Sequence, residues 1–167
     1  MKTIRRKSVR FIAVSGLIAA LYVVLTMLSA TVGLASGSIQ FRLSEALCIL
    51  CVFTPAAIPG ITVGCLVSNL LTGCLPPDII LGTAFSAVGA VGTYFLRKHP
   101  IISPLPYVLA NTLYLTVMMR YVYGKFGTLP LSFYIITCGI GEAVCAGAGG
   151  ILLYFLIKKK QLAKYLE

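Results

Sequence analysis

An all-α integral membrane protein, with six transmembrane helices in one compact bundle and both termini cytoplasmic, is the fold class this sequence predicts. Three observations carry that reading. The chain is 59% hydrophobic with a mean hydropathy of +0.98, and 11% of it is charged, against about a quarter in soluble domains. Its apolar residues fall into six runs separated by proline- and glycine-bearing turns. Its basic residues gather at chain ends and loop edges, with no aromatic-interleaved stripe, so the net charge of +10 points to membrane orientation and not to nucleic acid. A length of 167 residues suits one domain, 1–167, and at about 20 apolar residues per crossing it holds at most six spans with short loops.

The first span covers about residues 11–31. Lys2, Arg5, Arg6, Lys7 and Arg10 ahead of it imitate a signal peptide, but the apolar stretch outruns a signal core of about 7–15 residues and is expected to stay as a helix. Gly33, Ser36, Gly37 and Ser38 then read as a flexible loop. The second span, 43–54, is short and stops at the turn punctuated by Pro55 and Pro59, and the third is 58–72; one of these short central spans could instead be re-entrant. In Leu75-Pro76-Pro77-Asp78, Asp78 is placed to cap the fourth span, 79–96. Arg97-Lys98-His99-Pro100 is a solvated turn, and the fifth span, 101–121, is entered through Pro104 and Pro106. A turn over 123–127 leads to the sixth, 129–157, and the tail carries Lys158, Lys159, Lys160 and Lys164. With both ends inside, eleven basic residues are cytoplasmic: Lys2, Arg5, Arg6, Lys7, Arg10, Arg97, Lys98 and the four tail lysines. Only Arg42, Arg120 and Lys125 remain outside, as the positive-inside bias requires. A multi-pass protein of the cell membrane is therefore expected.

Function is sought where lipid makes polarity expensive. A charge at the centre of a span costs about 2.5–3.5 kcal/mol on insertion scales, so such residues face a cavity and mark a ligand or ion path. Arg42, Glu45, Asn69 and Asp78 lie near the outer ends of their spans, and Asn111 and Glu142 nearer the middle. Six short helices leave these residues few ways to avoid lipid except by converging. Three carboxylates, one arginine and two asparagines would suit a small, polar, nitrogen-rich ligand. Arg42 and Glu45, spaced i,i+3, could instead pair with each other, and Asp78 could be only a cap. Glu142, in Gly139-Ile140-Gly141-Glu142-Ala143, is the hardest to explain by structure alone. Tyr107, Asn111, Tyr114 and Met118 share a helical face that also reads as packing. In the first span Ser15, Gly16, Ala19 and Ala20 give small-xxx-small spacing twice, which admits another helix closely in lipid.

The chain lacks GxxxxGK[ST], HExxH, GxSxG and a Cys/His dyad, so no enzyme is expected and any ATP hydrolysis belongs to other chains. Cys48 and Cys51 have CxxC spacing without a second pair or a nearby histidine. No metal site or cofactor is expected, and the cysteines read as small hydrophobes.

Ile39-Gln-Phe-Arg-Leu-Ser-Glu-Ala-Leu47, Phe53-Thr-Pro-Ala-Ala-Ile-Pro-Gly60, Asn69-Leu-Leu-Thr-Gly73 and Pro77-Asp-Ile-Ile-Leu-Gly82 resemble the QueT family, within the substrate-binding S components of energy-coupling factor (ECF) transporters. The resemblance covers nearly the whole chain. It implies a six-helix vitamin-uptake subunit for queuosine precursors, which are 7-deazaguanine bases such as queuine or its 7-cyano and 7-aminomethyl precursors. It also implies partners: an EcfT-like transmembrane coupling protein, docked by a small-xxx-small motif on the first helix, and two ECF ATPases. The first helix has Ser15 and Gly16 where that motif would read Ala. The candidate substrate residues are then Glu142, Asn111, Glu45, Arg42, Asp78, Asn69, Tyr114 and Tyr107. The alternatives are an S component for another vitamin or nucleobase, or a small non-transport membrane protein.

Overall fold

The computed structural model describes residues 2–33, 41–123 and 129–160. The expected loop residues Ser36, Gly37 and Ser38, the turn at 124–127 and the tail residue Lys164 lie outside them. The described residues form helices joined by turns, with no strand among them. In chain order they form α1 (Lys2–Thr31), a 3-10 helix (Leu43–Val52), α2 (Ala57–Leu71), α3 (Pro76–Phe95) and α4 (Leu105–Val117). The π-helical turns Met118–Tyr123 continue α4; then come α5 (Leu131–Glu142), a π-helical segment (Ala143–Gly149) and α6 (Gly150–Lys159). The last three run on as one helical stretch, Leu131–Lys159.

Three of the helices are long and apolar enough to cross a membrane: Ser8–Thr31, Pro76–Phe95 and Leu131–Lys159. The expected second span differs. Its ten residues form a 3-10 helix, whose rise of about 2 Å per residue covers roughly 20 Å of an apolar layer about 30 Å thick. Ser44, Glu45, Leu47, Cys48, Ile49, Leu50 and Cys51 are all buried, so the segment is a plug at the centre of the bundle. Two boundaries also move. Residues 101–104 are turns, with the Ser103 amide donating to the His99 carbonyl, so α4 starts at Leu105. The capping role expected of Asp78 is not the one it has. Pro76 and Pro77 already occupy the first helical positions and Leu75 is the cap residue, which puts Asp78 in the first turn. Proline suits those positions because its missing N–H has no partner there to lose.

Polarity runs inward. Leu17, Ile80, Val88, Leu113, Ile136 and Leu152 are exposed, while Glu45, Asn69, Asp78, Asn111 and Glu142 are buried. That is the reverse of a soluble surface and fits a lipid solvent.

Glycine decides how closely the helices approach. A Cβ on Gly60 would stand 2.8 Å from the Ser15 carbonyl oxygen, and one on Gly64 would stand 2.7 Å from the Tyr22 Cβ. This glycine pair, four residues apart on α2, lets α1 lie directly against it. On α3, Gly82 and Gly89 receive the rings of Tyr114 and Tyr107 in the same way. The face predicted for Tyr107, Asn111, Tyr114 and Met118 is thus real, and all four are buried.

Candidate functional site

The 3-10 helix sits where it does because α1 presents hydroxyls at helical spacing. The Ser29 Oγ accepts from the Leu43 amide at 3.0 Å, and the Thr26 hydroxyl donates to the Ser44 Oγ at 2.8 Å. One turn back, the Tyr22 hydroxyl donates to Glu45 Oε1 at 3.0 Å. From the opposite side the Tyr107 hydroxyl, on α4, donates to Glu45 Oε2 at 2.5 Å. Both oxygens of Glu45 are therefore engaged, in a residue 3% exposed. The alternative reading, mutual pairing with Arg42, is not what binds it. Arg42 acts on Glu45 through space, and its Nη1 donates to Asn69 Oδ1 at 3.5 Å.

From Asn69 a line of polar contacts crosses the bundle. Asn69 Nδ2 donates to Cys65 Sγ at 3.5 Å, Cys65 Sγ and Ser86 Oγ are 3.5 Å apart, and Ser86 donates to Asn111 Oδ1 at 3.3 Å. Asn111 Nδ2 closes the line on the Tyr107 carbonyl at 3.3 Å. The Tyr114 hydroxyl donates to the Asp78 carbonyl oxygen at 3.3 Å. Tyr114 and Asn69 converge on Gly82, where an added Cβ would meet the Tyr114 hydroxyl at 2.8 Å and Asn69 Nδ2 at 3.2 Å.

Glu142 stands apart in one respect. It ends α5, at the point where the helix passes into the π-helical segment Ala143–Gly149, and π turns recur at functional sites. It is 5% exposed, and its Oε2 is buried with no hydrogen-bond partner. It lies within electrostatic range of both Glu45 and Arg42, and Arg42 is within range of Asp78. Arg42, Glu45, Asn69, Asp78, Asn111, Tyr107, Tyr114 and Glu142 thus gather around one interior region. A buried carboxylate oxygen lacking a donor costs free energy.

The four small residues of α1 divide. Ser15 donates to the Ala56 carbonyl at 2.9 Å, and the Ala19 carbonyl oxygen faces Gly64, so that pair belongs to internal packing. Gly16 and Ala20 are exposed, and a Cβ on Gly16 would meet nothing within 4 Å.

The sequence reading missed Tyr22, Ser86 and Cys65. Tyr22, Thr26 and Ser29, at i, i+4 and i+7 in a largely aliphatic span, were the available signal, because hydroxyls on one face of a lipid-solvated helix need partners. Ser86 offered less: it is one serine four residues after Gly82.

The chain matches the family model described as "QueT transporter" over residues 12–159. It is 41% identical over 66 residues to "Queuosine precursor transporter QueT" of Lactococcus lactis subsp. cremoris (strain MG1363), a match spanning 40% of this chain and 38% of that relative. The matched stretch therefore covers well under half of the relative's length. No solved structure matches the chain. Three apolar spans with buried carboxylates between them make a membrane protein, and the family model reaches from α1 to α6. The chain belongs to the QueT transporter family.

Proposed function

We propose that the chain is the membrane-embedded, substrate-binding S component of an ECF-type importer and takes up a queuosine precursor of the 7-deazaguanine class. In this reading the helical segments cross the membrane six times with both termini cytoplasmic. An EcfT-like protein and two ATPases supply coupling and hydrolysis.

The observation that carries the substrate reading is Glu142, whose buried Oε2 lacks a donor. A guanine-like edge offers N1–H and an exocyclic amine side by side, and one carboxylate can accept both. Arg42 and Asn69 stand across the same region, and Glu45, held by two tyrosines, adds negative potential there. Buried polar groups left unpaired cost about 1–3 kcal/mol each, so such a site rejects bases with the wrong edge.

The deciding experiment is equilibrium binding to the purified protein of queuine, its 7-cyano and 7-aminomethyl precursors, guanine and riboflavin. Binding of one or more 7-deazaguanines in preference to riboflavin is expected. Preference for riboflavin, or binding of none, overturns the assignment.

The docking part of the proposal rests on Gly16 and Ala20, the pair facing outward on α1. Gly16→Leu fills open space and not the core. Uptake in cells should be lost while binding by the isolated protein stays intact. Normal uptake by this variant would remove the face from the coupling interface.

A further inference from the structure

Most threonines in these helices follow one habit. Thr62, Thr72, Thr83, Thr93, Thr116 and Thr137 each donate their hydroxyl to the carbonyl four residues back. Thr26 does so as well and adds Ser44. Thr112 departs from it. Its Oγ1 is buried and has no hydrogen-bond partner, although it sits inside α4 with a carbonyl available one turn back.

Its direction is informative. A Cβ on Gly139 would meet Thr112 Cγ2 at 3.6 Å and Oγ1 at 4.0 Å, so the side chain points across to α5 at a residue with no side chain. Glu142 is three residues further along α5, on the adjoining turn of nearly the same face. Asn111, one residue before Thr112, points the other way. It is held by Ser86 on α3 and by the Tyr107 carbonyl. The side chain at position 112, and not the predicted one at 111, therefore faces the α5 wall that carries Glu142. Two buried polar atoms without partners thus lie on two facing helices, with a bare glycine opposite Thr112.

We infer that Thr112 and Glu142 form one ligand subsite between α4 and α5, which recognises a cyclic amide through its adjacent N–H and C=O groups. Glu142 accepts the ring N–H, and the Thr112 hydroxyl donates to the neighbouring carbonyl oxygen. In a 7-deazaguanine these are N1–H and O6. The inference rests on the substrate reading above and adds the residue that reads the oxo group.

The test uses the purified full-length protein and isothermal titration with two probes. One is 7-deazaguanine; the other is its 6-thioxo analogue, which keeps N1–H but accepts hydrogen bonds weakly. Thr112→Val keeps the branched shape and deletes the hydroxyl; Thr112→Ser keeps the hydroxyl. The wild type should prefer the oxo base. Thr112→Val should bind that base about tenfold more weakly, the size of one lost neutral hydrogen bond, and should lose most of the oxo preference. Thr112→Ser should stay close to the wild type, and the thermal midpoint without ligand should hold in Thr112→Ser and hold or rise in Thr112→Val. If Val does not fold, Thr112→Ala deletes the same hydroxyl and replaces it. An oxo preference that survives loss of the hydroxyl, or an equal loss for both bases, overturns the inference and leaves the substrate class standing. Failure of the wild type to bind either base instead overturns the substrate class itself.

Discussion

Two buried glutamates in this molecule live under opposite terms. Glu45 has a tyrosine hydroxyl on each oxygen, one from α1 and one from α4. Its own helix is tied to α1 through Leu43 and Ser44. Glu142 is as deeply buried, lies within electrostatic range of Glu45, and leaves an oxygen without a donor. The first arrangement is a joint: it fixes α1, the 3-10 helix and α4 to one another. The second costs stability and gains nothing within the folded chain. The difference teaches how to separate fold from function in a lipid-solvated bundle, where burial and charge alone do not distinguish the two. The state of the hydrogen bonds does.

The comparison is sharpened most by Glu142→Gln. The exchange keeps the volume but turns one acceptor into a donor that faces a ligand donor. With charge-assisted bonds worth roughly 1.5–3 kcal/mol each, affinity for a 7-deazaguanine should fall about a hundredfold or more. Stability without ligand should hold or rise, since a charge without a full set of partners leaves the interior. Titration and thermal unfolding of the same preparation check both halves. Unchanged affinity would move the site away from α5 and make Glu142 a second structural acid.

Tyr22→Phe attacks the other side and should show the reverse split. It strips the donor from Glu45 Oε1 and leaves a buried oxygen unpaired, costing about 1–3 kcal/mol of stability. The ring stays in contact with α2 at Gly64, so packing is kept. Affinity should change far less than in Glu142→Gln, as read by the same two measurements. A variant that unfolds like the wild type but no longer binds would make Glu45 the ligand carboxylate and Glu142 the structural one.

Much of this was legible beforehand, and the gaps have physical causes. The membrane class, most helix positions and the buried α4 face follow from hydropathy and spacing, because lipid leaves polar residues few places to go. The plug at 43–52 was not legible as such: an apolar run of that length reads alike as a short span or a buried segment, and only its tie to Tyr22, Thr26 and Ser29 decides. The candidate site is legible through its charges, its asparagines and the tyrosines that share a face with Asn111, whereas isolated hydroxyls elsewhere are not. Tyr22 and Thr112 carry no charge, so each looks like packing. Asn111 drew attention for needing a partner, and it has two. Asp78 is not the cap because Pro76 and Pro77 start the helix themselves, three residues earlier than the spacing predicts.

The smallest expected effect is the most specific to the region around Glu142. Gly139 lies opposite Thr112, and a Cβ there would make ordinary van der Waals contact, 3.6 Å from Thr112 Cγ2. Gly139→Ala should therefore fit without displacing a neighbour. Alanine also loses less backbone entropy than glycine in a helix, so the protein without ligand should gain about 0.5–1 kcal/mol. If the ligand enters between α4 and α5, the same methyl group takes up part of its slot and affinity falls several-fold. Stability and binding then move in opposite directions after adding one carbon to a site with no contact to Glu45. A variant more stable than the wild type that binds equally well would show that nothing enters between Thr112 and Glu142. The unpartnered oxygen of Glu142 would then have to be served from the side of Arg42.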